Sequence, residues 1–407
     1  MSSSSTAIVP ALRVSESEDG PAVRWLTQLL QQAAQWNASD IHLEPSEIDT
    51  RVRLRIDGSL QELPALPGDL RDRVVSRIKI LSRMDIAERR LPQDGRLKLD
   101  VDTRSMDFRV STLPTMHGEK LVLRWLQSSQ VVRELPSLGL EPDQLEQLLE
   151  MVQSPQGLAL VTGPTGAGKT VSLYACLQAM DRQHLNISTV EDPIEIELPS
   201  INQVQVHEKA GLTFSVALRA FLRQDPDVIL VGEIRDFETA DMAVKAAQTG
   251  HLVLSTVHTN DAPSTPGRLV HMGVPSHLLS SSLRWVIAQR LLRRLCDACK
   301  TPVHHAQSML QKAGLHESEI LDQGRAWQAF EAAGCSACHQ GVRGRLGVFQ
   351  VMSVSPPMQQ MIMEQRASSE LAAQASKEGI ATLREVALRR MKAGLCSLQE
   401  VLGGTPA

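Results

Sequence analysis

The sequence predicts an α/β protein in which a smaller α+β domain precedes a larger domain built on a parallel sheet. Between residues 157 and 256, short apolar segments alternate with segments of helical character, which is typical of parallel strands covered by helices on both faces. Before that region, apolar and charged residues alternate at Arg51–Asp57, as in a half-buried strand. The length of 407 residues also fits two or three domains.

The smaller domain is predicted to occupy residues 21–127. Residues 1–20 are rich in serine and acidic residues, which predicts a disordered tail. A helix is expected from Pro21, where apolar residues recur every three to four positions, and the Asp57-Gly58 pair after the first strand indicates a hairpin turn. The other elements expected here are a helix at Leu70–Ile86 and strands at Leu97–Val110 and Leu121–Leu126. A linker is predicted at residues 128–142.

The larger domain is predicted to occupy residues 143–407. Its elements are expected in the order helix Asp143–Val152, strand Gly157–Thr162, helix from Lys169, strand Ile187–Val190, helix Phe214–Leu222, strand Val228–Val231, helix Glu238–Thr249 and strand Leu252–Thr256. Ser264–Gly267, which follows Pro263 and contains a second proline, is expected to be an unusual loop. From about Leu278 the chain is predicted to be helical, then cysteine-bearing, and then helical again to its end.

Composition and charge argue against several classes of function. Lys and Arg number 42 and Asp and Glu number 46, and the resulting charge of −4 does not favour binding to nucleic acid through bulk charge. Aromatic residues make up 3% of the chain, which weakens a role in stacking bases. The longest apolar runs are too short to span a membrane, and the N-terminus lacks the pattern of a secretory signal. We therefore expect a cytoplasmic protein without a membrane span.

A phosphate-binding loop is predicted where the segment GPTGAGKT follows an apolar strand and opens a helix. Its residues are Gly163, Pro164, Thr165, Gly166, Ala167, Gly168, Lys169 and Thr170. In such a loop the glycines let backbone N–H groups surround phosphate oxygens, the lysine reaches the β- and γ-phosphates, and the threonine hydroxyl binds Mg²⁺. The context of strand, loop and helix favours this interpretation over a simple glycine-rich turn.

Acidic residues and histidines follow other predicted strands. Glu233 comes just after one strand, where open sheets bind ligands, and is a candidate to hold Mg²⁺ through a water, with helix capping as the alternative. Glu191, Asp192 and Glu195 follow a second strand in TVEDPIE and are candidates to orient or polarise an attacking water, with an acidic turn before proline as an equal alternative. His251 and His258 flank a third strand, and each is either structural or a sensor of the γ-phosphate.

Four of the six cysteines form two pairs with metal-ligand spacing. They are Cys296 and Cys299, then, after 35 intervening residues, Cys335 and Cys338. Two such thiolate pairs suit tetrahedral Zn²⁺ in a closed structural site, whereas disulfides are disfavoured in reducing cytosol. Four unrelated buried thiols are the alternative. His339 is a possible replacement ligand, and Cys176 and Cys396 are expected in the core.

The motifs taken together resemble one family. GPTGAGKT, TVEDPIE, DPDVILVGEIRDFETA and TGHLVLSTVHTND, in this order, resemble the Walker A, Asp box, atypical Walker B and His box of the secretion ATPase superfamily. The type II secretion and type IV pilus assembly branch is the nearest match, because SDIHLEP, RLPQDGR, DFRVSTLPTMHGEK and LLRRLCDACK are also present. The resemblance extends from about Trp25 to the C-terminus.

This resemblance implies a hexameric ring of subunits, each with a PAS-like N-terminal domain and a RecA-like ATPase domain that binds ATP and Mg²⁺. By motif match, Arg96 and Arg109 of the first domain close over the nucleotide, with Arg90 and Arg124 as weaker matches. A surface salt bridge is the alternative for any one of them. The family also implies a zinc subdomain, here residues 291–345, followed by C-terminal helices. Retraction ATPases generally lack that subdomain, so the cysteines favour assembly.

The implied function is mechanical work on platform proteins of the inner membrane. The expected motor is a short form, because only about twenty residues precede the first matching helix and leave no room for the additional N-terminal domain of many assembly ATPases. A nucleic-acid translocating or DNA-uptake motor is the alternative, supported by a basic helix predicted to carry arginines 284, 290, 293 and 294. An inactive scaffold that binds nucleotide only to order the ring is a third hypothesis, which the intact loop and Glu233 argue against.

Overall fold

The computed structural model describes residues 12–13, 20–101, 104–126, 133–304, 307–315, 321–322, 325–326 and 328–406. The chain divides into two compact units, Met1–Gln130 (unit 1) and Val131–Ala407 (unit 2). Most of the predicted tail and part of the predicted linker, residues 1–11, 14–19 and 128–132, lie outside the described residues. Within the tail, Leu12–Arg13 form a short strand that pairs with the sheet of unit 1.

The described part of unit 1 is a seven-stranded sheet with two helices. The strands are β1 (Leu12–Arg13), β2 (Asp40–Pro45), β3 (Thr50–Ile56), β4 (Ser59–Leu66), β5 (Gln93–Val101), β6 (Arg104–Thr115) and β7 (Gly118–Leu126). The helices are α1 (Pro21–Gln35) and α2 (Gly68–Leu81). The strand order is β1-β5-β6-β7-β2-β3-β4, with every neighbouring pair antiparallel except β1 and β5.

Alternation along the strands gives this sheet one apolar and one charged face. Ile41 and Leu43 of β2 are buried in the same core as Leu30 of α1 and Ile78 of α2. The apolar positions of α1 recur every three to four residues, so they share one side of the helix and cover the sheet. Residues between the buried strand positions, such as Arg96, are directed to the opposite face.

Unit 2 is built on a mixed sheet whose central strands are parallel. Its strands are β8 (Gly157–Thr162), β9 (Ile187–Glu191), β10 (Asn202–Gln205), β11 (Val228–Val231), β12 (Leu252–Val257), β13 (Leu283–Leu295) and β18 (Val342–Ser353). Their order is β10-β9-β11-β12-β8-β13-β18, and β18 alone among these strands runs antiparallel to its neighbour. The carboxyl ends of β8, β9, β11 and β12 therefore meet along one edge of the sheet.

Helices cover both faces of this sheet. They are α3 (Pro142–Gln153), α4 (Lys169–Ala179), α5 (Phe214–Phe221), α6 (Phe237–Gln248), α7 (Thr265–His271), α8 (Ser276–Ser282), α9 (Gln307–Lys312), α10 (Pro356–Met363), α11 (Ser368–Lys377), α12 (Leu383–Lys392) and α13 (Leu398–Gly404). Short strands β14 (Thr301–Val303) and β17 (Ala329–Glu331) pair with each other, as do β15 (Leu321–Asp322) and β16 (Arg325–Ala326). Among the described residues, no helix combines the length and apolar character needed to cross a bilayer.

The prediction of helix from Leu278 onward is wrong for residues 283–295. Helix α8 ends at Ser282, and the following thirteen residues form the long strand β13. Its apolar residues recur every three to four positions, as in a helix, but the segment is enclosed between β8 and β18. The predicted basic helix therefore does not exist, and its arginines lie on a paired strand of the sheet.

Three smaller predictions also differ from the structure. The strand expected at Leu97–Val110 is parts of two strands, β5 and β6, which pair antiparallel with each other. The helix expected to reach Ile86 ends at Leu81, since Arg83 adopts a left-handed backbone conformation with φ of 59°. Ser264–Gly267 is not a loop but the start of α7, where proline fits the first turn.

Candidate nucleotide site and tetracysteine cluster

The phosphate-binding loop occupies the predicted position between β8 and α4. Gly163, Gly166 and Gly168 have φ of 150°, 80° and 85°, a region that residues with a side chain rarely adopt. A Cβ on Gly163 would lie 2.5 Å from the carbonyl oxygen of Gln289, so the loop also needs glycine for close packing. Pro164, Thr165 and Gly166 are exposed, whereas Ala167 is buried. The first turn of α4 consequently presents backbone N–H groups beside an open loop, an arrangement suited to phosphate.

Lys169 and Thr170 lie in the first turn of α4 and are half-buried. The Lys169 ammonium donates to the carbonyl oxygens of Gly163 and Pro164 at 2.9 and 3.1 Å. Burial lowers the pKa of Lys169, and the negative charge of Glu233 opposes that shift. The lysine thus folds over its own loop, held by neutral acceptors that a phosphate group can replace.

Glu233 and His258 are brought together at the tips of the neighbouring strands β11 and β12. His258 Nε2 lies 3.8 Å from Glu233 Oε2, and Glu233 Oε1 accepts a hydrogen bond from Arg235 at 2.5 Å. This hydrogen bond to Glu233 raises the pKa of Arg235. His251 is not part of this group, because it precedes β12 and its Nδ1 lies 2.9 Å from the carbonyl oxygen of Ala246.

Glu191 also lies at the same edge, as the last residue of β9, but it is buried and fully hydrogen-bonded. It accepts bonds from the Tyr174 hydroxyl, from Thr189 at 2.6 Å and from Gln203 at 3.1 Å. Burial and the adjacent carboxylate raise the pKa of Tyr174. Glu195 is four residues further along and is exposed. In this conformation Glu191 therefore anchors α4 to the sheet.

The predicted arginines of unit 1 lie in a row across its charged face. Cross-strand register places Arg96 of β5 opposite Arg109 of β6, and Arg109 opposite Arg124 of β7. We call these three residues the arginine row. Their side chains are 70%, 53% and 65% exposed, so each presents a guanidinium to solvent. Arg90 is not in the row but in the loop before β5, where it pairs with Glu88.

Each member of the arginine row has an acidic neighbour on the same sheet. Arg96 binds Asp107 through both Nε at 2.9 Å and Nη2 at 2.7 Å, and this bidentate bond raises its pKa. Arg124 Nε donates to Asp40 at 2.9 Å. The contact of Arg109 with Asp94 is longer, at 3.8 Å. The row is therefore oriented by carboxylates of its own sheet.

The four cysteine sulfurs converge as the spacing predicts. They lie within 4.8 Å of one another, and they are the group of potential metal ligands found in the described part of the chain. Individual separations are 4.0 Å for Cys296 and Cys335 and 3.6 Å for Cys299 and Cys338. A tetrahedral site with Zn–S bonds of about 2.3 Å requires sulfurs about 3.8 Å apart. The donor set therefore fits Zn²⁺.

The local backbone explains why the two cysteine pairs meet. One pair follows β13 and the other precedes β18, and these strands are antiparallel, with Leu295 opposite Val342. Burial raises the pKa of Cys338, but hydrogen bonds with the backbone N–H of Cys335, with the thiols of Cys335 and Cys299 and with the backbone of Gly341 together outweigh it, and the pKa is lowered to about 7. A thiol with this pKa readily gives the thiolate that metals require.

Sequence reasoning missed the residues that hold these groups in place. Arg235 binds Glu233 and lies in the same motif, so its position in GEIRD was an available signal. Tyr174 is the only tyrosine in the chain, and it supports Glu191 from α4. Gln289 accepts a hydrogen bond from Ser172 at 2.8 Å. Gln289 was missed because residues 283–295 were predicted to form a helix, whereas they form a strand that pairs with β8. That pairing brings Gln289 next to the phosphate-binding loop.

Comparison with known proteins identifies relatives over nearly the whole chain. A protein-family model described as "Type II/IV secretion system protein" matches residues 15–403. The type IV pilus assembly ATPase PilB of Acinetobacter baylyi is 48% identical over 385 residues, which are 94% of this chain and 66% of the relative. PilB of Pseudomonas aeruginosa is 49% identical over 387 residues, covering 95% and 68%. The type II secretion system protein E of P. aeruginosa is 44% identical over 388 residues, covering 95% and 76%. The chain thus spans about two thirds of the length of the pilus assembly relatives.

Solved structures with a similar fold were also found. The pilus retraction motor PilT with bound ADP has a TM-score of 0.61 and 25% identity, over 94% of this chain and 97% of that chain. The Legionella pneumophila ATPase DotB has a TM-score of 0.66 and 18% identity, over 96% and 98%, and shows the fold alone. The predicted family and the predicted α/β fold with a RecA-like domain are confirmed.

Proposed function

Because the chain belongs to the family of type II/IV secretion system proteins, we propose that it is a motor ATPase that couples ATP hydrolysis to the assembly of a pilus or secretion pseudopilus. The observation that carries the proposal is the phosphate-binding loop with Glu233 and His258 at the same sheet edge. Fold alone does not define an activity, but lysine, acid and histidine beside a phosphate cradle support phosphoryl chemistry.

The proposed roles follow from where each group lies. Gly163–Thr170 bind the phosphates of ATP, Lys169 contacts the β- and γ-phosphates, and Thr170 and Glu233 hold Mg²⁺. The metal, when bound, neutralises charge that develops on the transferring phosphate. His258 is proposed to contact the γ-phosphate, and its position beside Glu233 at the tip of β12 supports this role.

Glu233 is the stronger candidate to activate the attacking water. It is partly exposed at the sheet edge, whereas both oxygens of Glu191 already accept hydrogen bonds inside the protein. Glu191 can act on water only if Tyr174 or Thr189 releases it. Glu195, which is exposed in the following turn, keeps a secondary role in orienting water or nucleotide.

Arg96 and Arg109 are proposed to supply cations to the phosphates, by the motif match that first identified them. Their exposed guanidinium groups support this role, because a fork-shaped cation pairs well with phosphate oxygens. Unit 1 is proposed to be the PAS-like domain of the family, and the zinc subdomain is proposed to span residues 291–345.

A structural Zn²⁺ is proposed at the four cysteines. Purified protein prepared without chelators should contain one zinc per chain, and Cys335→Ser should lose it. Site energies in small zinc peptides are about 10–16 kcal/mol, so a chelator should unfold residues around the cluster before the ATPase core. Protein free of zinc by elemental analysis, with the thiols reduced, would reject this site.

Partners are proposed from the family rather than from contacts. The relatives named PilB and type II secretion system protein E are assembly and secretion proteins, which supports a ring of identical subunits acting on inner-membrane platform proteins from the cytoplasm. The loss of the predicted basic helix removes a main argument for a nucleic-acid motor. Arg293 pairs with Glu400, and Arg294 with Asp297.

The test is ATP hydrolysis by the purified chain, measured alone, with DNA, and with the cytoplasmic part of a platform protein. Hydrolysis that the platform protein stimulates and DNA does not would support the assembly motor. Stimulation by DNA, with binding that weakens as salt rises, would instead support the nucleic-acid motor. ATP binding without hydrolysis under every condition would support the inactive scaffold.

A further inference from the structure

Arg290 is a buried cation to which none of the roles above assigns a purpose. It is 9% exposed and lies on β13, just beyond the pairing of Ala288 with Thr162 at the end of β8. Its Nη1 would lie 3.2 Å from a Cβ placed on Gly163, the first residue of the phosphate-binding loop. The guanidinium therefore packs directly against the base of that loop.

The same guanidinium reaches the loop that carries His258. Its Nη2 donates to the carbonyl oxygen of Asn260 at 2.6 Å, and its Nη1 donates to the carbonyl oxygen of Gln289 at 2.9 Å. A second link lies beside it, where the backbone N–H of Thr259 donates to the Thr162 hydroxyl at 2.8 Å. The phosphate-binding loop and the His258 loop are thus tied at two adjacent points.

The charge of Arg290 is not needed for these hydrogen bonds. Both acceptors are neutral carbonyl groups rather than carboxylates. Burial lowers the pKa of Arg290, and the nearby charge of Asp261 only partly offsets it. A buried cation without a partner is unfavourable. A neutral donor could bind the same carbonyls without that penalty.

Binding of a nucleotide to the phosphate-binding loop brings negative charge close to Arg290. Arg290 and Lys169 are close enough for the arginine to lower the pKa of the lysine, after the larger effect of burial. The two positive charges therefore repel each other, and the negative charge of bound phosphates would neutralise both. Stabilisation by charge is greater here than at the surface, because the surroundings exclude water.

We propose that Arg290 is a positioning residue that fixes the His258 loop against the phosphate-binding loop, and that nucleotide phosphates supply the negative charge its buried guanidinium lacks. The inference rests on the proposed ATPase function. Phosphate binding strengthens the hold on Asn260 and keeps His258 beside Glu233. When phosphate leaves, the cation is again uncompensated and the hold weakens, so the His258 loop responds to the state of the nucleotide.

The kinetic test compares Arg290→Met, Arg290→Lys and the control Arg294→Gln, which removes an exposed arginine from the same strand. Arg290→Met should bind ATP within about threefold of wild type yet lower kcat by at least about tenfold, a split that loss of ground-state binding does not produce. Arg290→Lys keeps the charge but not the fork, and should recover part of the loss. Added guanidinium ion should also partly restore Arg290→Met.

Hydrogen exchange supplies a readout that does not depend on turnover. A non-hydrolysable ATP analogue should protect backbone amides of residues 258–262 in wild type and Arg294→Gln, and this protection should be lost in Arg290→Met. Unchanged kcat or unchanged protection in Arg290→Met would overturn the proposal, as would equal losses of activity and melting temperature in the Met and Lys variants. A wild-type protein that binds the analogue but never hydrolyses ATP would refute the ATPase function, while the exchange experiment would still decide the role of Arg290.

Discussion

The sheet edge of unit 2 and the arginine row of unit 1 hold their charged groups in different ways. At the sheet edge, Lys169 is held by carbonyl groups of its own loop, and Glu233 by Arg235 two residues away. In the row, Arg96 is held by the carboxylate of Asp107 on β6, and Arg124 by the carboxylate of Asp40 on β2. Because Lys169 is bound to neutral carbonyl oxygens, it can exchange these bonds for bonds to phosphate without breaking an ion pair. Arg96 and Arg124 are already oriented by carboxylates, which also neutralise part of their charge.

This difference predicts how much each group contributes to activity. Lys169 is half-buried, where a charge acts through a medium that screens weakly, and the members of the row are more than half exposed. Substitutions of Lys169 and Glu233 should therefore lower turnover more than substitutions in the row. The substitutions below test this ranking, and any reversal would show that the row dominates.

The largest effect is expected from Lys169→Ala. It removes the lysine that reaches across the phosphate-binding loop, so hydrolysis should be abolished and ATP binding weakened. Lys209→Ala, which removes an exposed lysine from another loop, is the control and should behave as wild type. Normal turnover by Lys169→Ala, measured as phosphate release, would be incompatible with the proposed nucleotide site.

Glu233→Gln and Glu191→Gln form a matched pair at two neighbouring strand tips. Glu233→Gln should still bind ATP but hydrolyse it about 10²–10⁴-fold more slowly, the usual contribution of a group that activates water. Glu191→Gln should mainly lower the melting temperature, because it disturbs the bonds from Tyr174 and Thr189. The opposite pattern, a stable Glu191→Gln protein that cannot turn over, would assign the catalytic carboxylate to β9.

The strands of unit 2 could be predicted closely where the local sequence alone identifies them. Strands β8 and β11 match their predicted bounds, because each is a short apolar run that ends at a glycine. Strand β13 could not be predicted, since its apolar spacing also fits a helix and its strand character comes from pairing with β8 and β18. Those partners are distant in sequence, and no local pattern contains them.

The candidate site shows the same limit at the level of side chains. The motif around GPTGAGKT indicates that Lys169 and Thr170 begin a helix, which the structure confirms. It does not indicate that Tyr174 supports Glu191, nor that β13 places Gln289 behind the loop. A sequence motif contains the residues that bind the ligand. The residues that orient those ligand-binding residues lie on other elements, which only folding brings close.

A smaller effect is expected from Arg96→Ala and Arg109→Ala. If the row supplies cations to the transferring phosphate, each substitution should lower turnover by at least about a hundredfold, allowing for one arginine to cover partly for the other. ATP binding and ring assembly should survive. Arg51→Ala is the control, because it removes an exposed arginine of the same sheet that pairs with Glu62. Rates within a few-fold of wild type, in rings confirmed intact by light scattering, would assign these arginines to surface pairs.

The smallest effect is expected from Asp107→Asn, and its sign tests whether the carboxylate orients Arg96 or withholds it. Asp107 occupies Nε and Nη2 of Arg96, and Nη1 has no partner among the described residues, so the opposite edge of the guanidinium remains directed outward. An oriented fork should serve phosphate better than a mobile one. We therefore expect Asp107→Asn to lower turnover by about tenfold, which corresponds to about 1.4 kcal/mol of barrier, and to leave ATP binding unchanged. The effect is less than that of Arg96→Ala because the cation is still present. An increase in turnover would mean that Asp107 holds Arg96 in reserve, and the arginine row would then be a brake released during the cycle rather than a prepared part of the site.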